Sequence, residues 1–433
     1  MMAAAHQGPA MALAELLAGE ALPAPLAGLA VRGLALDSRT VRPGDLFFAL
    51  CGAHHDGRDF IARAAAAGAV AVLVDAATPV VGAPLPVIAV AALGTHLSAI
   101  AGRFYGDPSH ALAVTGVTGT NGKTTCSLLL AQLFDALEGP AGVIGTLGAG
   151  LVRGDLQPTG LTTPDALGTQ RLLAELRAAG ARRVVMEVSS HSLAQERVAA
   201  VRFHTALFTN LSRDHLDYHP DMAAYREAKA RLFRQPGLEV AVVNLDDPAG
   251  RDIAAQTTAR HCYGYALERD AALRVLRAEF APEGIRARIA TPWGEGELTS
   301  PLPGAFNLAN LLAVIGAACA QGFALGPVLA AIPGLRGAPG RMQRIAGELT
   351  GCRLLRYLYA RKQERHHFVG TRDEQRVTQR GTSVLMAQAV FIQAGDDGAK
   401  AIASNRDGRL RHRGLRMPAA LGRSIKGTTE GVD

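Results

Sequence analysis

The chain of 433 residues contains little cysteine, and its placement suits neither cross-links nor metal. The five cysteines are scattered and odd in number, without the close spacing of zinc ligands. A disulfide framework and a zinc site are therefore not expected, and a reducing cytoplasm is the expected compartment. The five are Cys51, Cys126, Cys262, Cys319 and Cys352.

A basic leader is also missing. The N-terminal region is alanine-rich, but Glu15 and Glu20 interrupt it, which argues against a signal peptide. No charge occurs between residues 300 and 335, and residues 308–335 are long enough to cross a bilayer. Because polar residues, glycines and prolines break that run, we expect a buried hairpin of two short helices and no membrane association.

The chain has no recognisable nucleic-acid motif, although its formal net charge is +7. Residues 351–433 hold 16 basic and 8 acidic side chains, whereas residues 1–350 hold 29 and 30. The basic character therefore lies in the tail, where the charges are dispersed. Such a tail does not by itself predict a nucleic-acid partner.

Apolar runs alternate with helix-like segments over most of the chain, and its length suggests two or three domains. We predict a small α/β domain in residues 1–103, with its pattern clear from residue 26. In residues 104–339 the alternation predicts a doubly wound, mostly parallel sheet, with ligands at the carboxyl ends of its strands. A third region is predicted for residues 340–433. The predicted strands include Ala111–Val114, Val184–Val188, Ala206–Thr209 and Val240–Val243, and the predicted helices include Ser127–Leu137, Leu167–Ala179 and Met222–Phe233.

The segment Gly116–Thr125 reads G-V-T-G-T-N-G-K-T-T and lies between an apolar run and a helix-like stretch. Glycines allow backbone N–H groups to close around an anion, Lys123 can reach terminal phosphates, and the Thr124 hydroxyl can ligate Mg²⁺. One more residue separates Gly116 from Gly122 than the strict phosphate-loop pattern allows. The segment predicts a nucleoside triphosphate site. The alternative is an ordinary strand-to-helix connection.

Two further segments place polar groups after predicted strands. Glu187 ends an apolar run, so it must be paired or bind a metal if it is buried; pairing with Arg183 is the alternative to a site. The run Asn210–His219 contains two histidines and several charged groups, which favours a site over a plain surface loop.

These segments together resemble the Mur ligases, the ATP-dependent amino-acid-adding enzymes of peptidoglycan synthesis, over roughly residues 26–345. Within that family they look like the members that add meso-diaminopimelate or L-lysine to UDP-MurNAc-L-Ala-D-Glu. The alternative, that the chain is one of the related folylpolyglutamate synthetases, would not explain the motifs in its N-terminal region. The motifs are Asp37-Ser38-Arg39, Pro43 to Ala49, Asp56-Gly57-Arg58, Leu161 to Pro164, Glu187 to His191 and Asn210 to His219.

The resemblance implies a cytoplasmic, monomeric ligase that uses ATP and Mg²⁺. Its substrates would be UDP-MurNAc-L-Ala-D-Glu and a diamino acid, with diaminopimelate favoured over lysine. ATP would convert the D-Glu carboxylate into an acyl phosphate, which the incoming amine would attack. No nucleic acid and no membrane would be involved.

Site residues follow from the resemblance position by position. Those implied to bind ATP are Gly119, Thr120, Asn121, Gly122, Lys123, Thr124, Thr125, Asn307, Asn310 and Arg341. Those implied to hold the UDP-substrate are Ser38, Thr162, Thr163, Ser189, Gln195 and Arg197. The implied Mg²⁺ ligands or close partners are Thr124, Glu187, His215 and a carbamylated Lys229, and the implied catalytic set is Lys123, Lys229, Glu187 and His215. The alternatives are helix capping for the two asparagines and a solvated surface position for Lys229.

The resemblance stops in the tail. Gly340-Arg341-Met342 resembles the motif that opens the family's C-terminal domain, but the match fails after about Leu349. The family's Asp-Asn-Pro-Arg signature for the incoming amino acid is missing from residues 353–433. We interpret this degenerate region as a frame change or a fused foreign sequence, with rapid divergence as the second interpretation. Two hypotheses stay open: an active ligase, and an impaired protein that binds UDP-substrate and ATP.

Overall fold

The computed structural model describes residues 10–20, 22–52, 55–281 and 283–339, together with the backbone of five strands beyond residue 340. The chain divides into two compact units, of which one ends at Arg336 and the other begins at Gly337. The domain boundary predicted at residue 103 falls inside the first unit and stays a prediction.

The N-terminal part of the first unit contains a four-stranded parallel sheet, which confirms the α/β pattern expected there. A separate antiparallel pair of strands, β1 and β2, precedes this sheet in the sequence. The sheet order is β3-β4-β5-β6. The strands are β1 (Met11–Ala12), β2 (Ala30–Val31), β3 (Gly33–Ala35), β4 (Asp45–Ala49), β5 (Ala71–Asp75) and β6 (Val87–Val90), and the helices are α1 (Leu13–Leu16), α2 (Ala24–Ala27), α3 (Ile61–Ala66) and α4 (Leu93–Phe104).

The following part forms a ten-stranded sheet of order β16-β15-β14-β13-β12-β11-β7-β10-β8-β9. Strands from β14 to β8 in that order run parallel, and β9, β15 and β16 add antiparallel edges. Its strands are β7 (Ala113–Thr118), β8 (Ala141–Gly145), β9 (Gly148–Leu151), β10 (Arg183–Glu187), β11 (Phe203–Phe208), β12 (Val240–Asn244), β13 (His261–Ala266), β14 (Leu273–Ala281), β15 (Gly284–Thr291) and β16 (Gly294–Ser300).

Helices cover both faces of this sheet. Its helices are α5 (Lys123–Leu137), α6 (Ala166–Ala178), α7 (Ser190–Ala194), α8 (Met222–Ala230), α9 (Pro248–Gln256), α10 (Ala305–Ala320) and α11 (Leu325–Ala331), with short 3₁₀ helices at Gly57–Phe60, Pro108–His110, Arg231–Arg234 and Ile332–Gly334. On β10, Val184 and Met186 join the core with α6, α7 and α9, whereas Val185 joins the core with α5, α10 and α11. Because successive strand side chains point to opposite faces, a strand covered on both sides needs a continuous apolar run. The predicted doubly wound α/β architecture is confirmed.

The uncharged stretch predicted to form a buried hairpin does so. Helices α10 and α11 pack against each other and against α5, and Leu311, Leu312 and Val314 are fully buried. Within the described part of the chain, none of the helices combines the length and apolarity needed to cross a membrane.

Strand β7 lies at the centre of the parallel region, between β11 and β10. In register, Val117 pairs with Glu187 of β10, and Thr118 pairs with Phe208 of β11. The three strands therefore end at the same edge of the sheet, where the chain leaves β7 for α5. The predicted strand ended at Val114, but β7 continues to Thr118, so Gly116 belongs to the strand and the connecting loop begins at Gly119.

The second unit is described through its strands alone, all of which pair antiparallel. The sheet order is β17-β18-β20-β21, and β19 also pairs with β18. The strands are β17 (Arg341–Leu349), β18 (Cys352–Lys362), β19 (Val384–Met386), β20 (Ala389–Gln393) and β21 (Ile402–Ala403). Most of the tail, and the side chain of Arg341, lie outside the described residues, so the expectation that the tail departs from the family's third domain stays a prediction.

Candidate functional site

The loop Gly119–Gly122 connects β7 to α5 and is hereafter the phosphate loop. Gly119 and Gly122 adopt φ values of +145° and +87°, which suit glycine. A larger residue would also lack space at both positions. A Cβ on Gly119 would lie 1.9 Å from Thr209 Oγ1, and one on Gly122 would lie 2.8 Å from Asn310 Oδ1. Both glycines are thus required by backbone shape and by close neighbours.

The phosphate loop is tied to the end of β11. The N–H of Thr120 donates to the carbonyl oxygen of Asn210 at 2.8 Å, and the N–H of Asn121 donates to Asn210 Oδ1 at 2.9 Å. Thr209 Oγ1 donates to the Asn121 carbonyl at 2.6 Å. These bonds occupy two loop amides, so anion-binding capacity lies in the first turn of α5, which contains Lys123, Thr124 and Thr125.

Two lysines converge on the phosphate loop. Lys123 Nζ donates to the carbonyl oxygens of Gly119 at 2.8 Å and of Thr120 at 3.0 Å. Lys229, on α8, is 1% exposed and donates to the same Gly119 oxygen at 3.0 Å. Burial, together with the Lys123 charge, holds the pKa of Lys229 well below its ordinary value. Lys229 is therefore not the solvated surface lysine that the alternative interpretation required.

Tyr225 covers this lysine and was not singled out from the sequence. Lys229 Nζ lies 4.4 Å from the centroid of the Tyr225 ring, a cation–π distance. The fully buried Tyr225 hydroxyl lies 3.1 Å from Thr120 Oγ1, and burial raises its pKa to about 12. Both residues lie on α8, one turn apart, which is the spacing that places them on one helix face.

Glu187 is 1% exposed and has no basic partner among its hydrogen bonds. Its Oε2 accepts from the hydroxyls of Thr124 at 3.0 Å and Thr146 at 3.2 Å, and its Oε1 accepts from the Thr146 N–H at 2.8 Å. Arg183, the partner considered from the sequence, instead pairs with Glu138. That alternative is wrong, because Arg183 and Glu187 lie at opposite ends of β10.

These donors suit a magnesium ion. Carboxylate and hydroxyl oxygens are the ligands that Mg²⁺ prefers, and the ion commonly keeps several waters and takes substrate phosphates. Among the described residues, no group of three or more histidine, cysteine or acidic side chains is arranged to hold a metal. Glu187 with Thr124 therefore fits an ion held partly by a nucleotide, and does not fit an all-protein metal cage.

Three histidines form a cluster beside the phosphate loop. The ring of His191 lies 5.0 Å from that of His215, 5.7 Å from that of His219 and 4.2 Å from that of Tyr218. Burial, reinforced by the two other histidines, lowers the pKa of His191 to about 4. His219 is 4% exposed, and its Nε2 is without a hydrogen-bond partner in the described structure. Burial also lowers the pKa of His219 from its ordinary value, so His191 and His219 both favour the neutral imidazole.

His215 is the histidine predicted to belong to the metal and catalytic set. It has a left-handed backbone conformation, with φ of +53°, and its Nε2 lies 3.7 Å from Asp214 Oδ2. Its ring also lies 5.9 Å from that of Tyr225. The structure thus brings His215 to the helix that carries Lys229, while none of the described hydrogen bonds joins His215 to Glu187.

The residues expected to hold the UDP-substrate form a network next to Glu187. Thr163 Oγ1 donates to the Glu187 carbonyl oxygen at 2.9 Å and accepts from the Ser189 N–H at 3.0 Å. Arg197 donates through Nε to Gln195 Oε1 at 2.8 Å and through Nη1 to the Thr163 carbonyl at 3.1 Å. These four predicted residues are therefore brought together.

Ser38 lies apart from that network, in the turn that follows β3. It is 6% exposed and is flanked by the Asp37–Arg39 ion pair, whose hydrogen bonds hold the pKa of the Asp37 carboxyl below its usual range. No described hydrogen bond joins Ser38 to the central set, so its role in holding a uridine nucleotide stays a prediction.

The two asparagines of α10 differ in their contacts. Asn307 Nδ2 donates to the carbonyl of Pro303 at 2.8 Å, but no described side chain caps the N–H groups at the start of α10, so helix capping is not what Asn307 does. Asn310 lies against Gly122 and accepts from Cys126 Sγ at 3.4 Å. Asn310 is thus placed at the phosphate loop, whereas Asn307 lies one turn nearer the start of α10.

Comparison with known proteins adds an independent finding. The family described as "Mur ligase middle domain" matches residues 117–318, and the one described as "Mur ligase family, catalytic domain" matches residues 30–105. A relative from Ectopseudomonas mendocina, named UDP-N-acetylmuramoyl-L-alanyl-D-glutamate--2,6-diaminopimelate ligase, is 53% identical over 329 residues, which cover 75% of this chain and 67% of that protein. A relative of the same name from Pseudomonas aeruginosa is 52% identical, over 74% of this chain and 66% of that one.

A solved structure of a protein with that name superposes with a TM-score of 0.70 at 33% identity, covering 78% of this chain and 69% of that chain. The chain spans about two thirds of the length of the relatives that it matches. The matched regions contain the phosphate loop, Glu187, Lys229 and the two asparagines of α10.

Proposed function

Because the chain belongs to the Mur ligase family, we propose that it is an ATP-dependent ligase that joins meso-diaminopimelate to the D-Glu of UDP-MurNAc-L-Ala-D-Glu. The names of the most similar relatives support diaminopimelate over L-lysine. The proposed setting is the cytoplasm, which suits the free thiols of the described cysteines. We propose that the protein acts on these small molecules as a monomer.

One observation carries this proposal: a buried carboxylate lies at hydrogen-bond distance from the residue that follows Lys123. Glu187 accepts from Thr124, and Lys123 precedes Thr124 at the start of α5. A lysine, a helix N-terminus and an acidic metal ligand together match the needs of phosphoryl transfer. Thr163, which holds the Glu187 carbonyl, belongs to the proposed UDP-substrate site. The two substrates would thus meet at Glu187.

In the first step, the D-Glu carboxylate oxygen attacks the γ-phosphorus of ATP, an O–P bond forms, and ADP leaves. Lys123 would exchange its bonds to the Gly119 and Thr120 carbonyls for bonds to phosphate oxygens. Its charge and the N–H groups at the start of α5 would then stabilise the charge that develops on the phosphoryl group.

Thr124 and Glu187 would hold Mg²⁺, with His215 and a carbamylated Lys229 as the further proposed ligands. When bound, the ion neutralises phosphate charge and orients the nucleotide. The low pKa of Lys229 supports its modification, because an unprotonated amine is the form that reacts with CO₂.

In the second step, the unprotonated amine of the incoming amino acid attacks the acyl carbon, a C–N bond forms, the bond from the acyl carbon to the phosphate oxygen breaks, and inorganic phosphate leaves while the nitrogen loses one proton. The rate depends on holding the amine against the face of the acyl carbonyl group. Arg197, whose guanidinium lies beside Gln195 and Thr163, would bind an acidic group of the muramoyl dipeptide. Ser38 would hold the uridine nucleotide, and Thr162 and Ser189 would complete the dipeptide site.

The test is ligation by the purified full chain, with UDP-MurNAc-L-Ala-D-Glu, ATP, Mg²⁺ and either diaminopimelate or lysine. The proposal expects a product that contains diaminopimelate, together with stoichiometric ADP and phosphate. Absence of UDP-substrate binding and of ATP turnover would refute it.

A second candidate rests on the tail, where the Asp-Asn-Pro-Arg signature is missing from residues 353–433. This candidate is a protein that binds UDP-substrate and ATP but lacks the grip on the incoming amino acid. Binding of both substrates without ligation of either amino acid would favour it over the active ligase.

A further inference from the structure

Thr146 lies between Glu187 and Thr162 and was not among the residues expected from the sequence. Its Oγ1 lies 3.2 Å from Glu187 Oε2 and 3.1 Å from Thr162 Oγ1. Since Thr124 Oγ1 lies 3.0 Å from the same Glu187 oxygen, a continuous chain of polar contacts runs from Thr162 to Thr124. One end of that chain, Thr162, lies in the proposed UDP-substrate site, and the other, Thr124, lies in the first turn of α5 at the proposed nucleotide site.

The backbone around Thr146 is shaped to receive the carboxylate. Thr146 follows β8, which pairs in parallel with β10, so both strands deliver their next residues to one edge of the sheet. The Thr146 N–H donates to Glu187 Oε1 at 2.8 Å. A Cβ on the preceding residue, Gly145, would lie 2.4 Å from that same oxygen. Gly145 thus leaves room for the Glu187 carboxylate, and Thr146 binds it, through its N–H to Oε1 and through its hydroxyl to Oε2.

The direction of the hydroxyl bonds follows from proton counting. A threonine hydroxyl has one proton, and a carboxylate can only accept. Thr146 Oγ1 is placed to donate to Thr162 Oγ1 and to Glu187 Oε2, and its single proton can serve only one of these acceptors at a time. A substrate N–H or O–H that donates to Thr162 competes with Thr146 for that oxygen, so the Thr146 proton then stays with Glu187. Polarisation along such a chain strengthens each bond in it.

We propose that Thr146 is a positioning residue of the ligase site, which holds Glu187 and couples UDP-substrate binding at Thr162 to nucleotide binding at Thr124. This inference rests on the proposed function. A donor group of the muramoyl dipeptide, such as an amide N–H or a sugar hydroxyl, takes the place of Thr146 as donor to Thr162 and leaves the Thr146 proton with Glu187. The carboxylate is then held in the orientation that serves the nucleotide, and by linkage the nucleotide favours UDP-substrate equally.

The test is calorimetric binding of a non-hydrolysable ATP analogue with Mg²⁺, measured with and without saturating UDP-MurNAc-L-Ala-D-Glu. In the wild-type chain we expect bound UDP-substrate to lower the Kd of the analogue by roughly 5- to 150-fold, the usual range for coupled sites. Thr146→Val keeps the side-chain shape and the N–H bond but lacks the hydroxyl, so the ratio of the two Kd values should fall to about 1. Thr146→Ser keeps the hydroxyl and should restore the coupling, which a merely structural role would not predict.

Thr162→Val, on the other loop, is the second variant and should abolish the coupling in the same way. The proposal is overturned if Thr146→Val binds both ligands with the wild-type ratio, or if the wild-type chain binds both with no coupling while it ligates. Wild-type protein that binds neither ligand would refute the proposed function and this inference with it. The ligation assay therefore separates failure of the coupling from failure of the function.

Discussion

Lys123 and Lys229 donate to one acceptor, the backbone carbonyl oxygen of Gly119, at 2.8 and 3.0 Å. Two ammonium groups around one oxygen repel each other, and Lys229 is in addition buried. Both effects favour the neutral amine, so the pKa of Lys229 is held well below its ordinary value. A neutral amine can attack CO₂ to form a carbamate with loss of one proton, and the new negative charge would lie beside Lys123.

We predict that Lys229 is carbamylated at neutral pH. Because the folded pKa is lowered, the amine stays unprotonated at pH values where a free lysine is charged, so uptake should persist well below pH 10. Incubation with ¹³C-bicarbonate should give one carbamate signal by NMR, and Lys229→Ala should lack it. Arg226→Ala is the control, because Arg226 lies on the same helix as Lys229 and forms an exposed ion pair with Asp252 of α9. This variant should keep the signal. A crystal structure with bicarbonate that reveals a bare ammonium would contradict this prediction.

Lys123→Ala should abolish most ATP turnover. Lys123 directly follows the phosphate loop, and loss of one preorganised charge at a transition state costs on the order of 10²-fold or more in rate. Phosphate release would be measured in the presence of UDP-substrate. Binding of UDP-substrate alone should survive, since Thr163 is held by Glu187 and Ser189 and Arg197 by Gln195. Unchanged turnover in the purified variant would remove the nucleotide assignment.

Gly119→Ala should destabilise the protein more than Gly180→Ala. Both glycines have positive φ, at +145° and +89°, but the added Cβ meets Thr209 Oγ1 at 1.9 Å only in the first case and open space in the second. Positive φ alone costs about 1–2 kcal/mol, and the Gly119 variant must also displace Thr209 from its bond to Asn121. Urea unfolding of the two variants measures the difference. An equal decrease in the free energy of unfolding for both variants would mean that the loop accommodates a Cβ at Gly119 without cost.

Replacing the tail should change the rate of ligation. If the missing Asp-Asn-Pro-Arg signature leaves the amine unoriented, the present chain should ligate very slowly, because orientation can supply several kcal/mol of the barrier. A chimera that carries an intact family C-terminal domain after Arg344 should restore ligation, while UDP-substrate binding stays unchanged. Turnover of the unaltered chain at about 1 to 10³ per second would instead place an unrecognised amino-acid site in residues 353–433.

The sequence located β10 and β12, two strands that are buried on both faces, to within one residue at each end. The predicted strand Val240–Val243 is only one residue shorter than β12. The prediction is close because a continuous run of small apolar side chains is typical of a central parallel strand. The prediction for β7 ended too early because Gly116 was taken as part of the loop. Inside the strand, a Cβ on Gly116 would lie 2.8 Å from the Phe203 ring, so this glycine serves packing and not a turn.

The antiparallel strands β14 to β16 were not predicted individually. Several β14 side chains are exposed, including Leu276 and Phe280, so its pattern does not reveal a buried face. Thr146 gave no signal either, because it follows one glycine and precedes another within a short connection that reads as a turn. Its partners Thr162 and Glu187 are 16 and 41 residues away, and only the sheet order brings them together.

The hydrogen bonds from Thr120 and Asn121 to Asn210 have a thermodynamic consequence for ligand binding. They join two segments about ninety residues apart, so the phosphate loop acquires its shape when β7 and β11 pair. The conformational entropy of the loop is then lost on folding, before any nucleotide arrives. Nucleotide affinity is therefore sensitive to the pairing of β11, a strand that carries none of the loop's own residues.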